Sequence, residues 1–124
     1  MTKHIRAMLV EDHADFRALM EVLLTGQSDM KLIAQAGSLA EARDHAARFE
    51  FDVAVLDLGL PDGHGEDLIV DFRRSNPEVG VLILSASLDP ANIEKATRLG
   101  AGEIMDKLAP LEEVLSTVRR LGSA

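Results

Sequence analysis

The chain has 124 residues, a formal net charge of -8 and no cysteine, which implies one domain and rules out disulfides and thiolate metal sites. That charge, with few aromatics, argues against nucleic-acid binding by the chain's own surface. No apolar stretch approaches the roughly 18 residues of a membrane span, and the run before Glu11 is too short for a signal-peptide core, so a single cytoplasmic domain over 1–124 is expected.

Strand and helix signals then alternate along the chain. Ile5 to Val10 reads as the first strand and ends at Glu11-Asp12. The first helix carries Phe16, Leu19, Met20, Leu23 and Leu24 on one expected inward face, with Gly26 as its stop. Lys31 to Ala36 is the second strand. Ser38-Leu39-Ala40-Glu41 has capping-box spacing and opens a helix with Leu39, Ala42, Ala46 and Phe49 inward. Val53-Ala54-Val55-Leu56 is long enough for a strand, too short for a helix, and apolar throughout, as strands buried on both faces are. It stops at Asp57, and a Leu-Pro-Asp-Gly turn follows.

The third helix is expected to begin near Gly65, with Glu66 and Asp67 in its first turn and Arg73 and Arg74 in its last, matching the helix dipole. Asn76-Pro77 ends it. Val79 to Leu84 is the fourth strand and stops at Ser85. Asp89-Pro90 and Gly100 bracket the fourth helix. Glu103 to Met105 is a short fifth strand leading into Asp106-Lys107. Pro110 opens the fifth helix, with Leu111, Val114, Leu115, Val118 and Leu121 in one stripe. Strand–helix units in series imply an α/β fold with a parallel sheet between two helical layers.

Parallel sheets of this kind place ligands at the carboxyl ends of their strands. The residues left there are Glu11 and Asp12, then Asp57, then Ser85, then Lys107. Each alone has an ordinary explanation: an acidic helix start, a turn serine, a solvated surface lysine. Together they describe a site. Converging carboxylates repel one another, and a hard divalent cation with oxygen ligands removes that repulsion. A lysine and a hydroxyl beside the metal suit a phosphoryl group. Asp57 would then be a nucleophile that forms an acyl phosphate.

The motifs LVEDH, VLDLGLPDGHG, ILSAS and GAGEIMDK, with their spacing, resemble the receiver domain of bacterial two-component response regulators over the whole chain. GSLAEA, the VEDH start and the late Pro110 most resemble receivers of the class joined to a C-terminal helix-turn-helix domain. The resemblance implies a flavodoxin-like five-stranded doubly wound sheet of order 2-1-3-4-5. It implies Asp57 as phospho-acceptor, Asp12 and Asp57 as direct Mg2+ ligands, Glu11 as a ligand through water, and the backbone carbonyl of Gly59 as another. Ser85 and Lys107 would contact the phosphoryl group. The donor would be a phosphohistidine on a sensor histidine kinase or a histidine phosphotransfer protein. The domain would catalyse its own phosphorylation and slow dephosphorylation, and a downstream protein would read the face of helix 4, strand 5 and helix 5.

Three departures from the family pattern stand out. Ile104 replaces an aromatic three residues before the lysine, Leu108-Ala109 replaces the proline that often follows it, and Gly59 is smaller than usual two residues after the acceptor. The last would let water closer to a phosphoryl group. Gly59 also excludes a haloacid-dehalogenase-type phosphatase, which needs a second Asp there. The acidic loop from Glu11 to Asp15 would repel the phosphate of a flavin. His4, His13, His45 and His64 lack metal-ligand spacing, and His13 and His64 read as solvated loop residues. The competing reading is a pseudo-receiver, the same fold used as a constitutive protein-interaction module, which Ile104 leaves open.

Overall fold

The computed structural model describes residues 4–123. Its strands are β1 (Ile5–Val10), β2 (Met30–Ala36), β3 (Val53–Leu56), β4 (Gly59–Leu60), β5 (Gly63–His64), β6 (Gly80–Ser85) and β7 (Glu103–Asp106). The helices are α1 (Ala14–Thr25), α2 (Leu39–Arg48), α3 (Asp67–Ser75), α4 (Pro90–Leu99) and α5 (Leu111–Gly122). β2, β1, β3, β6 and β7 form, in that order, a parallel sheet, the order that the family resemblance implies. β4 and β5 are a separate antiparallel hairpin, where the sequence suggested only a turn.

Side chains alternate across a strand, and β3 shows what that does to an all-apolar run. Val53 and Val55 enter a core layer with Met20, Leu24, Val114 and Val118, under α1 and α5. Ala54 and Leu56 enter the opposite layer with Leu68, Ile69, Phe72 and Ala96, under α2, α3 and α4. Phe72 is fully buried and meets Phe51 edge-on at 5.1 Å between ring centroids. Burial of such a side chain is worth about 1.5–3 kcal/mol before packing is counted. The two layers grip the sheet and leave only its rims for polar chemistry.

Several helix expectations need correction. Leu19 is 44% exposed, because its position falls at the edge of the α1 stripe whose centre is Met20 and Leu24. Phe49 is also 44% exposed, since it caps α2 in an extended conformation instead of extending its face. Leu111 lies at the solvent edge of α5, whose buried residues are Val114, Leu115 and Val118. α3 starts at Asp67, close to Gly65 as expected and with Asp67 in its first turn, but Glu66 is its N-cap rather than a first-turn residue, and is buried. His13 is exposed and precedes α1, as expected, and its Nδ1 also accepts the Phe16 N–H at 3.3 Å and caps that helix.

Candidate functional site

Backbone hydrogen bonds continue past the strand ends and fix the loops that follow. Asp57 N–H donates to Val10 O (3.0 Å), Glu11 N–H to Ala36 O (2.8 Å) and Lys107 N–H to Ser85 O (3.1 Å). Adjacent strands therefore hand over their first loop residues in register. Glu11 and Asp57 also continue the odd-numbered rows Ala7–Leu9 and Val53–Val55, which face the α1/α5 layer. The loop after β3 is closed by Gly65, whose N–H donates to Leu58 O at 2.8 Å. A Cβ at Gly65 would collide with the Asp57 carbonyl, so only glycine allows this return.

The side chains converge as the spacing suggested. Lys107 Nζ lies 2.9 Å from Glu11 Oε1 and 3.1 Å from Asp57 Oδ2. The same ammonium sits 4.8 Å from the centroid of the Phe16 ring, a cation–π contact that helps hold it over the cluster. Glu11, Asp57 and Ser85 are buried and Asp12 is exposed. Even so, Glu11, Asp12 and Asp57 each offer a carboxylate oxygen within 4.8 Å of the others. Glu11 Oε2 accepts the His13 N–H at 3.0 Å, and Arg17 Nη1 donates to the Glu11 carbonyl at 2.8 Å, which pins the loop after β1.

One ammonium among three carboxylates leaves a surplus of negative charge. Burial pushes the Glu11 carboxyl above its usual range, and the charge of Asp57 adds to this, against the Lys107 and His13 hydrogen bonds. For Lys107, burial works against the charge, but hydrogen bonds to Glu11 and Asp57 outweigh it and raise the ammonium's pKa. Both partners are thus raised, which is consistent: a single lysine shared by two carboxylates cannot neutralise both. An all-oxygen donor set with surplus negative charge fits a hard divalent cation.

Beside the cluster is a cleft of about 270 Å³, lined by Asp57, Gly59, Ser85, Lys107, His64 and Asn92 among others. Ser85 Oγ accepts the Ser87 N–H at 3.1 Å, leaving its own proton for another acceptor. Nothing lies within 4 Å of where a Gly59 Cβ would stand, so the opening expected there is present. His64, read from sequence as solvated, lines the cleft. Asp62 also has an unforeseen partner: its carboxylate accepts the N–H groups of Leu39 (2.8 Å) and Ala40 (3.1 Å), tying the β4–β5 turn to the start of α2. Ser38 Oγ caps the same helix through Glu41 N–H (3.1 Å), while Glu41 reaches back to Gly37 N–H (2.9 Å).

Similarity to known proteins agrees with this arrangement. The family model of the response regulator receiver domain matches residues 7–119. Response regulator protein PilR of Pseudomonas aeruginosa is 36% identical over 122 residues, a match covering 94% of this chain and 26% of that protein. DNA-binding transcriptional activator DevR/DosR of Mycobacterium tuberculosis is 31% identical over 119 residues, covering 96% of this chain and 55% of the relative. The chain thus spans about a quarter of the first relative and about half of the second. Among solved structures, the signal receiver domain of a NarL response regulator from Mycobacterium tuberculosis superposes with a TM-score of 0.90 at 24% identity, covering 98% of each chain.

Proposed function

The chain belongs to the response regulator receiver domain family, and on that premise we propose that Asp57 accepts a phosphoryl group from a phosphohistidine. The donor is a sensor histidine kinase or a histidine phosphotransfer protein of a two-component system. A carboxylate oxygen of Asp57 attacks phosphorus, the phosphorus–nitrogen bond breaks, and its electron pair returns to the histidine. The observation that carries this reading is Lys107 Nζ bridging Asp57 Oδ2 (3.1 Å) and Glu11 Oε1 (2.9 Å) inside the carboxylate cluster.

Each remaining residue has a role consistent with its contacts. The Lys107 ammonium neutralises a phosphoryl oxygen at the position where it now meets Asp57. Ser85, already accepting from Ser87 N–H, donates its hydroxyl proton to another oxygen. Glu11, Asp12, Asp57 and the Gly59 carbonyl would hold Mg2+. When bound, Mg2+ would offset the charge of the carboxylates and of the incoming phosphoryl group. A downstream protein partner would read the result on the face of α4, β7 and α5. Exposed Ile93 and Leu111, on α4 and α5, supply apolar contact area on those elements.

The test is incubation with Mg2+ and acetyl phosphate followed by mass spectrometry. One added phosphoryl group on the wild type, and none on Asp57→Asn, is expected. Label retained at a normal rate in Asp57→Asn would mean the acceptor is misassigned. No label on the wild type would favour the constitutive interaction module.

A further inference from the structure

We propose that His64 positions the water that removes the phosphoryl group from Asp57, and so sets the lifetime of the signal. This rests on the function proposed above and adds a residue to it. The hairpin ladder pairs Gly59 directly with His64, which places the imidazole on the same side of the hairpin as the missing Gly59 side chain. The space above Gly59 is open, with nothing within 4 Å of a Cβ position. Both residues line the cleft that contains Asp57, Ser85 and Lys107. A water entering over Gly59 therefore passes between His64 and the acceptor.

The hydrogen-bonding capacity of the cleft is mostly committed. Asn92 Nδ2 donates to Ser87 O (3.0 Å) and to Asp89 Oδ2 (3.2 Å). Lys107 serves Glu11 and Asp57. Ser85 Oγ already accepts from Ser87 N–H. Among the described residues lining the cleft, the side chains of His64 and Ser87 make no protein hydrogen bond; of the acceptors left, which include Asn92 Oδ1, the His64 ring is the one paired across the hairpin with Gly59, over which the water enters. The hairpin is also held in place, because Asp62 in its turn accepts two N–H groups from the start of α2. The backbone of His64 is therefore fixed beside the cleft, and its ring can turn toward the acceptor.

The step balances without any further reactant. Water oxygen attacks phosphorus while one of its O–H bonds points at a ring nitrogen of His64. The phosphorus–oxygen bond to Asp57 breaks and its electron pair restores the carboxylate. The products are aspartate and inorganic phosphate, which takes up the proton released by the water. His64 ends as it began. Its contribution is orientation, which brings the nucleophile in line without a separate entropic cost at the moment of reaction.

The experiment follows decay of the label by mass spectrometry. Wild type, His64→Ala and His64→Gln are phosphorylated with acetyl phosphate and Mg2+, desalted to remove the donor, and sampled over time. The first-order decay constant does not depend on how much protein was labelled. His64→Ala is expected to lengthen the half-life about three- to tenfold, the range of one lost hydrogen bond in the transition state. His64→Gln, whose amide oxygen restores an acceptor, is expected to recover at least half of that change on a logarithmic scale. Equal half-lives for wild type and alanine variant would overturn the role of His64, and so would faster decay, which would make the ring a shield. A slowing that glutamine fails to reverse would also overturn it. Absence of label on all three proteins would instead remove the acceptor assignment, and this inference with it.

Discussion

The two rims of the sheet carry similar residue types and treat them in opposite ways. At the amino-terminal rim, Arg6 grips Asp52 through two nitrogens, Nη2 to Oδ1 at 2.9 Å and Nε to Oδ2 at 3.2 Å, and reaches Glu50 at 3.3 Å. Near it Arg119 holds Asp29 at 2.8 Å and Gln27 at 2.9 Å. Asn76 there caps the Phe51 carbonyl at 3.1 Å. Arginine forks and carboxylates meet in matched geometry. At the carboxyl-terminal rim, Glu11, Asp12 and Asp57 share one lysine. The first sets two arginines against three carboxylates, one of them the exposed Glu50, while the second sets a single lysine against three and keeps the larger surplus. Size points the other way: the amino-rim cavity, lined by Arg6, Phe49 and Asn76, is about 510 Å³ against about 270 Å³ for the cleft beside Asp57. Unbalanced charge, not volume, marks the rim where chemistry is expected.

The largest effects should separate the rims outright. Asp57→Asn is expected to abolish labelling by acetyl phosphate, whereas Arg6→Ala should label at close to the wild-type rate. Arg6→Ala should instead cost about 1 kcal/mol of stability in urea unfolding, the upper range for a partly exposed ion pair. If Arg6→Ala lost labelling while still folded, the division of roles between rims would be wrong. Next in size is the response to metal. A ligand that binds only the folded state stabilises it by mass action, about 2.7 kcal/mol at a hundred times Kd. Mg2+ should therefore raise the melting temperature of the wild type by several degrees and that of Asp57→Asn much less. Equal shifts would count against a metal site shared with Asp57.

A smaller effect probes the clamp between the acceptor hairpin and α2. Hydrogen bonds from Leu39 and Ala40 N–H hold the Asp62 carboxyl below its ordinary value of 3.8. A folded-state pKa below the unfolded value means the unfolded chain binds the proton more readily. The contribution of Asp62 is then complete above pH 3.8 and is lost as pH falls through the lowered folded value. Asp62→Ala should accordingly melt a few degrees lower than wild type at neutral pH. That gap should close in acid below pH 3.8; a gap that stays constant would show that the carboxylate charge is not what caps α2.

Asp62 also shows how far the sequence could be read. Strand order followed from the resemblance, and Glu11, Asp12, Asp57, Ser85 and Lys107 could be placed because each stands at or just past the carboxyl end of a strand, where register fixes its position. Asp62 sits in a Leu-Pro-Asp-Gly segment that reads as a turn, and its partners lie 23 and 22 residues earlier. No local spacing signals a cap of that range. His64 was hidden for a related reason, since its approach to the cleft depends on the pairing Gly59↔His64 across a hairpin of two-residue strands. Glu66 read as a first-turn acid and stands at the N-cap of α3 instead, buried and 3.9 Å from Lys95 on α4, a tertiary contact no local spacing signals.

That last contact bears on the smallest effect, which concerns how phosphorylation is reported. Receivers usually carry an aromatic ring at the position of Ile104, and its inward swing accompanies movement of the hydroxyl residue, here Ser85. Ile104 lies in β7 opposite Ile83 and packs half-buried against the core layer under α3 and α4. It has no ring to swing, and its β-branch restricts χ1. Meanwhile α4 is tethered to the start of α3: Lys95 Nζ lies 3.4 Å from Asp67 and 3.9 Å from Glu66, whose Oε1 finds no protein partner. A switch shifts populations only by the free-energy difference between its states, so losing one coupled element should shrink that difference. The response would then rest on Ser85 and the loop from Ala86 to Pro90, and be graded. NMR spectra of free protein and of its magnesium beryllofluoride complex should differ modestly on α4 and β7 in the wild type, and more in Ile104→Tyr. A full two-state rearrangement in the wild type, with Ile104 changing rotamer, would show that the ring is dispensable and that the α4 tether yields without it.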